Sequence, residues 1–522
     1  MSRLFDAVAA VDNDTVTENG MPAYKSTLSK VLDLFSDGFS QRRNPSGVDK
    51  LVREAALENK ELTLRCLFYL RDIHEGQGER AVFRQGMRTL LSMYPEFSRN
   101  LIYIPVGHCS ESGKPYGRWD DLVALLGVNK EVDAEIYSII RAQLAIDTAL
   151  LEDGNIAKIS LLAKWLPSVN TSSKSTRTIA KNLYQNLGLK EERSYRKLLS
   201  TLRAATNILE TKLSKKDYTF DYSKLPSRAI HKYRKAFERN DNARFTAYHD
   251  ALHKVLVHSE KSVADVKINT AGLYPYDVVR PILRPLGWGG GGNNLSQTEL
   301  LQLDNQWRSL RNYFEGTAGN HNWLAVVDTS GSMFDSYDKN QVASIEVAIS
   351  LGLYVAECNN GLFKNKMVTF SHLPSFIAVD DKWSLKDKLK HIAASEWAMN
   401  TDIEAVFDLV LKAAVSHHIP TEEMPDAIVI ISDMQFDQCV SNRHCLNMIR
   451  SKYEAAGYTC PKLVFWNASA RANCSKPITR DKTGTILVGG CKPGMFEQVL
   501  ASKSPEDFMT DILNGERYSV LS

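Results

Sequence analysis

Between Met21 and about His258 the apolar residues recur at spacings of three and four, the period of an amphipathic helix. Residues 24–39, 62–73, 80–93, 131–150 and 195–209 each carry such a stripe. The breaks between them are short and turn-like: Gly76-Gln77-Gly78, Tyr94-Pro95 and the run from Gly113 to Gly117. Helices joined by short turns predict an all-α solenoid of antiparallel pairs of the HEAT kind. No exact repeat period is present, so irregular repeats or a compact bundle fit the same pattern.

After residue 320 the pattern changes. Short apolar runs at 324–327, 367–370, 427–431, 463–466 and 486–488 read as buried strands, with helical stretches at 342–358, 403–414 and 447–456 between them. Strands and helices in alternation predict an α/β doubly wound parallel sheet of Rossmann-like type. The glycines of GWGGGGNN at 287–294 mark a flexible joint between the two patterns. A phosphate-cradling loop would need a Lys-Ser/Thr after the glycines and a strand before them, and both are missing. Ser296 and Glu299 have the spacing of a capping box, so a connecting helix is expected from there to about Phe314. The chain thus divides into a tail (1–20), a helical domain (21–286), a linker with a connecting helix (287–320) and an α/β domain (321–522).

Where the first buried run of the α/β domain ends, LAVVDTSGSM at 324–333 places Asp328, Ser330 and Ser332 on one short loop. Asn400-Thr401-Asp402, and Ser432-Asp433 at the end of the run 427–431, add further oxygens. In doubly wound sheets ligands bind beyond the carboxyl ends of the strands, which is where Asp328 and Asp433 fall. Mg²⁺ or Mn²⁺ takes about six oxygen ligands, keeps several waters and receives one or two carboxylates from a protein. No Cys or His stands among these residues, which argues against zinc. Asp328, Ser330, Ser332, Thr401 and Asp433 are therefore the candidate ligands, for Mg²⁺ first and Mn²⁺ or Ca²⁺ as alternatives. A lone Asp-X-Ser-X-Ser is an ordinary strand-end turn; the three segments in this order are what point to a metal.

Composition narrows the class. A chain of 522 residues is too long for one core, and 43% hydrophobic with 24% charged residues is ordinary for a soluble globular protein. Asp6, Asp12 and Asp14 interrupt the first apolar residues, so neither a signal nor a transit peptide is expected, and no apolar run approaches the roughly 20 residues of a membrane span. A cytoplasmic, monomeric protein without membrane contact is the expectation. The eight cysteines form no CxxC pair and read as reduced, mostly buried thiols. In His108-Cys109 and His444-Cys445, adjacent side chains rarely face each other as nucleophile and base.

Charge is unevenly spread. Residues 1–320 carry 45 Lys+Arg against 37 Asp+Glu, residues 321–522 carry 19 against 24, and residues 155–250 alone carry 20 against 8. A polyanion would be drawn to that last segment. Lys164, Lys174, Arg177, Lys181, Arg193, Arg196, Lys197, Arg203, Arg228, His231, Lys232 and Lys235 are the candidate RNA-binding residues, with Ser and Thr at 171–173 to donate to phosphates. Tyr195, Tyr222, Tyr233 and Phe245 are candidates for stacking on unpaired bases. The bland reading is a solvated helix surface with the aromatics in the core. In RDIHEGQGER (71–80) and YGRWDDL (116–122), Asp72, His74 and Glu75 have acid-base chemistry, but closing turns and pairing charges between repeats is the better reading.

Five stretches carry a family likeness: RDIHEGQGER (71–80), YGRWDDLVALLG (116–127), KWLPSVNTSSKSTR (164–177), WAMNTDIEAVFDLVL (397–411) and ISDMQFD (431–437). Through them the chain resembles, over most of residues 20–510, plant, bacterial and viral proteins related to the TROVE, or Ro ribonucleoprotein, family. The oxygen-rich segments resemble the metal-ion-dependent adhesion site of a von Willebrand A domain. The resemblance implies a ring of HEAT-like repeats closed by such a domain, with small non-coding RNA on the outside of the ring and ends of misfolded RNA in its hole. It also implies the metal site at the five residues named above.

The leading expectation is a non-enzymatic RNA-binding scaffold whose metal site recruits a protein partner. A metal-dependent protein-interaction module without RNA is the first alternative. A metal-dependent hydrolase is the second, and nothing resembling a general base or second metal accompanies it.

Overall fold

The computed structural model describes residues 12–107, 113–189, 191–206, 208–258, 266–270, 272–288, 294–314, 322–334, 341–370, 374–395, 402–436, 445–469, 475–499 and 501–522. Most of its early helices begin where a side chain takes over free backbone N–H groups. Ser29 accepts from Leu32 N at the head of α1 (Lys30–Asp37), Asn44 from Gly47 N at α2 (Pro45–Glu58), and Asn59 from Leu62 N at α3 (Lys60–Arg71). After α4 (Arg80–Met93), Asn129 does the same for α5 (Lys130–Glu152). Helices α6 (Lys174–Asn186), α7 (Glu192–Ala205), α8 (Ser227–Asn240), α9 (Asn242–His258) and α10 (Pro275–Leu283) follow. The capping box of Ser296 and Glu299 opens α11 (Gln297–Arg308). That helix stops at Arg308, short of Phe314, where Leu310 N donates to Trp307 O in a tightened last turn and Thr270 Oγ1 donates to the Ser309 carbonyl at 2.6 Å.

The stretch offered by the sequence as a tail contains a strand. β1 (Asp14–Val16) pairs antiparallel with β2 (Pro22–Tyr24) around an Asn19-Gly20 turn, with Gly20 at φ +88°. Tyr24 then exchanges backbone hydrogen bonds with Lys476 in the second half of the chain, at 2.9 and 2.8 Å.

In that second half, β3 (Trp323–Val327), β4 (Lys366–Thr369), β5 (Phe376–Ala378), β6 (Ala427–Ser432), β7 (Lys462–Asn467) and β8 (Thr485–Gly489) form one sheet in the order β5-β4-β3-β6-β7-β8. The five strands read from the sequence pair in parallel, with Val327 opposite Ile431 and Ile431 opposite Trp466. The sheet is mixed rather than purely parallel, since β5 returns antiparallel beside β4. Between the strands run α12 (Ser344–Cys358), α13 (Leu385–Ala394), α14 (Ile403–Ser416) and α15 (Cys445–Ala455).

Side chains alternate across the pleat. Ala325, Val327, Val429, Ile431, Val464, Trp466, Ile486 and Val488 belong to a core continuous with that of the helical half. Leu324, Val326, Ile428, Ile430, Phe465 and Leu487 fall in a second core with Val406, Phe407 and Tyr453 of α14 and α15. Both ends of the helical run rest on the α/β half: α1 against β8, and α10 and α11 against α12 and α13. Tyr274 at the head of α10 donates through its hydroxyl to the Gln77 carbonyl at 3.1 Å, so the run returns to its own start. The last long helix, α16 (Pro505–Leu513), packs back on α1 and α3. Among the described residues no helix is long and apolar enough to cross a membrane.

Candidate functional site

Asp328 and Asp433 stand at the carboxyl ends of the adjacent strands β3 and β6, so the sheet brings their carboxyl groups together. Asp328 N still donates to Ile431 O at 3.0 Å, the last rung of the ladder, and the chain then turns away. In that turn Ser330 N donates to Asp328 Oδ1 at 2.9 Å, and the Ser330 and Ser332 hydroxyls meet at 3.0 Å. On the β6 side, the Ser432 hydroxyl donates to Asp328 Oδ2 at 2.6 Å and Gln435 N to Asp433 Oδ1 at 3.2 Å. Met434, immediately after Asp433, is held at φ +67°, a conformation costly for a side chain of its size.

Both carboxyls are buried, Asp328 at 0% and Asp433 at 1% exposure. Burial, and then the neighbouring Asp433 carboxylate, push the Asp328 carboxyl up to about 7. Two desolvated carboxylates beside two convergent hydroxyls form an all-oxygen donor set that fits a hard divalent cation, which would relieve their repulsion. Asp328, Ser330, Ser332 and Asp433 are brought together. Thr401, with Asn400, lies outside the described residues, as do His108, Cys109 and His444. Ser432 orients Asp328. The hairpin also reaches this end of the sheet: Thr17 donates to Phe436 O at 2.6 Å, Glu18 N to Gln435 Oε1 at 2.9 Å and Asn19 to Gln435 O at 2.9 Å. The Asn19-Gly20 dipeptide was the signal for that hairpin.

The twelve basic candidates separate into two groups. Lys164 pairs with Glu210 at 3.1 Å, and Arg203 donates to the Ala163 and Leu166 carbonyls at 2.7 Å. Arg228 sits 3.6 Å from Asp277. His231 is driven down to about 4, by burial first and then by Arg234, Arg228 and Arg280. These four are built into the fold. By contrast Lys174, Arg177 and Lys181 on α6, Arg193, Arg196 and Lys197 on α7, and Lys232 and Lys235 on α8 are exposed. Among the described residues none of the eight has a carboxylate in ion-pair distance. Spacings of three and four place each helix's set on one face, and α6 touches α7.

The aromatics mostly lie in the core. Tyr195 is buried with its hydroxyl on Pro167 O at 2.9 Å, and Tyr222 and Phe245 fill a small aromatic cluster with Phe220 and Phe237. They are not stacking platforms. Tyr233 is partly exposed, with the Lys232 ammonium 4.7 Å from its ring centroid.

Residues 17–137 and 131–312, together more than half of the chain, match the family described as "Domain of unknown function (DUF2828)". Residues 322–517 match "Domain of unknown function (DUF7788)". An uncharacterized protein of Acanthamoeba polyphaga mimivirus is 29% identical over 515 residues, spanning 94% of this chain and 85% of that one. A solved structure, that of the Ro (RSR) protein of Deinococcus radiodurans, aligns over 93% of both chains at 13% identity with a TM-score of 0.33.

Proposed function

This chain belongs to the family described as a domain of unknown function (DUF2828), and we propose, from its surface chemistry, that it is a non-enzymatic scaffold for small structured or misfolded RNA. The observation that carries the reading is the set of eight exposed cations on α6, α7 and α8 that have no carboxylate partner among the described residues. Six of them lie on the touching pair α6–α7. Uncompensated charge at helical spacing suits a phosphate backbone, whose contacts give affinity without demanding a base sequence.

In the same reading the α/β half is a von Willebrand A-like module. Asp328, Ser330, Ser332 and Asp433 would hold Mg²⁺ and leave a position for a carboxylate of a protein partner. The bound cation would supply an electrophilic coordination point; this chain's part is to orient the oxygens through Ser432 and the Ser330 N–H.

Filter binding of the full chain to structured and single-stranded RNA at moderate salt tests the first half of the proposal, and retention is expected. No retention of either RNA would refute it. For the second half, calorimetric titration with Mg²⁺ is expected to give one binding event that Asp433→Ala abolishes while RNA retention is unchanged. An identical isotherm in the variant would sink the metal site.

A further inference from the structure

A cavity of about 1020 Å³ lies between loops of the helical half and the end of the α/β half. That is the upper end of the roughly 300–1,000 Å³ range of small-molecule sites. Lys492, just after β8, forms part of its wall and is only 5% exposed. Its ammonium donates to the His74 carbonyl, and among the described residues no carboxylate lies within ion-pair distance of it. The nearby acid Asp72 is already occupied by Arg517 Nη2 at 2.8 Å and the Tyr518 hydroxyl at 2.9 Å.

A buried ammonium with no carboxylate in ion-pair distance is costly, and here Asp72 and Glu75 offset that cost only from further away. Burial lowers Lys492 only to about 8, so it remains mostly charged at neutral pH with two donors to spare. Lys114, Lys267 and Arg311 line the same space and likewise lack a carboxylate in ion-pair distance among the described residues. Three acids also stand on the wall, Glu75, Asp511 and Glu516; Glu75 is 3.7 Å from Arg517, and Asp511 accepts from Ser502 at 3.2 Å. Tyr313, with the Arg311 guanidinium 4.9 Å from its ring centroid, offers a flat apolar wall. An occupant with a doubly charged, acceptor-rich head and a planar body would meet both needs.

We propose that this cavity binds a small organic phosphate of nucleotide size, with its phosphoryl group on Lys492 and its ring beside Tyr313. The site is separate from the α6–α7 face and from the Asp328 centre, so it stands or falls independently of both. A ligand there would touch the helical and α/β halves at once and tie them together.

The test is thermal unfolding and calorimetry of the full chain with adenosine 5′-monophosphate, inorganic phosphate and adenosine at millimolar concentration. The monophosphate is expected to raise the midpoint more than either fragment. Lys492→Met, nearly isosteric but neutral, is expected to melt at or above the parent without ligand and to bind the monophosphate roughly ten- to a hundredfold more weakly. Lys232→Met on α8 keeps the full shift. Inorganic phosphate matching the monophosphate would overturn the nucleotide-sized occupant. No shift with any probe, or an undiminished shift in Lys492→Met, would overturn the site itself. A Lys492→Met chain that melts well below the parent without ligand would do the same, because the ammonium would then serve the His74 carbonyl alone.

Discussion

His249 lies fully buried against the rings of Phe245 and Tyr248, 4.7 and 4.8 Å away, and among the described residues neither of its ring nitrogens has a hydrogen-bond partner. Burial holds it down at about 3, and His231 at about 4. Both folded values lie below the ordinary value near 6.5, so the stability these groups contribute is complete above that pH and is lost as pH falls towards 3 to 4. Each histidine contributes a slope of up to about 1.4 kcal/mol per pH unit across that window. Urea unfolding from pH 7 to 5 is expected to show the parent losing stability faster than His249→Phe, which fills the same space and cannot charge. Equal slopes would mean that His249 is not held neutral. Such fates are hidden at the residue scale in a sequence. Lys164 and Lys174 look alike there, and only the approach of Glu210, 46 positions from Lys164, separates the paired cation from the exposed one. The Asp328 site was legible because its oxygens sit on contiguous motifs at strand ends. Its Ser432 hydrogen bond needed the register of β3 against β6.

At the scale of elements, Asp72 at the end of α3 joins the halves. It accepts from Arg517 and Tyr518 beyond α16, while Tyr116 donates through its hydroxyl to the Arg517 carbonyl. In YGRWDDL, Asp121 pairs with Arg71 at 2.6 Å and with Arg84 at 2.8 Å. The charged motifs therefore pair neighbouring helices, as their composition suggests, but the partner at 517 lay too far along the chain for local pattern to reveal. Arg517→Met leaves Asp72 buried without its guanidinium and is expected to cost about 3–5 kcal/mol by chemical denaturation. Adding Asp72→Asn should return part of that loss; a loss under about 1 kcal/mol in the single variant would mark the pair as a weak surface bridge. Helices such as α4 and α5 were readable from their stripes. β5 was not, since three residues with Phe376 and Ala378 exposed carry too short an alternation.

Across the whole molecule, one hydrophobic core runs from α1 through the helical half to a face of the sheet. The glycine-rich stretch at 287–294, read from sequence as a flexible joint, lies between elements that pack on each other through α10 and α12, where Arg284 Nε meets Glu346 Oε1 at 2.5 Å. Through Ala180, Leu183, Tyr195, Leu199 and Leu202, α6 and α7 share this core and present their cations together. The central claim is that this face holds RNA through its phosphates. It is tested most directly by measuring RNA affinity across a salt series for the parent and for a chain with Lys174, Arg177, Arg196, Lys197, Lys232 and Lys235 changed to Ala. Counterion release predicts that affinity falls steeply with salt in the parent, and that the log–log slope becomes shallower by about 0.7 for each lost contact to a single strand. Binding that ignores both salt and the six substitutions would contradict the account.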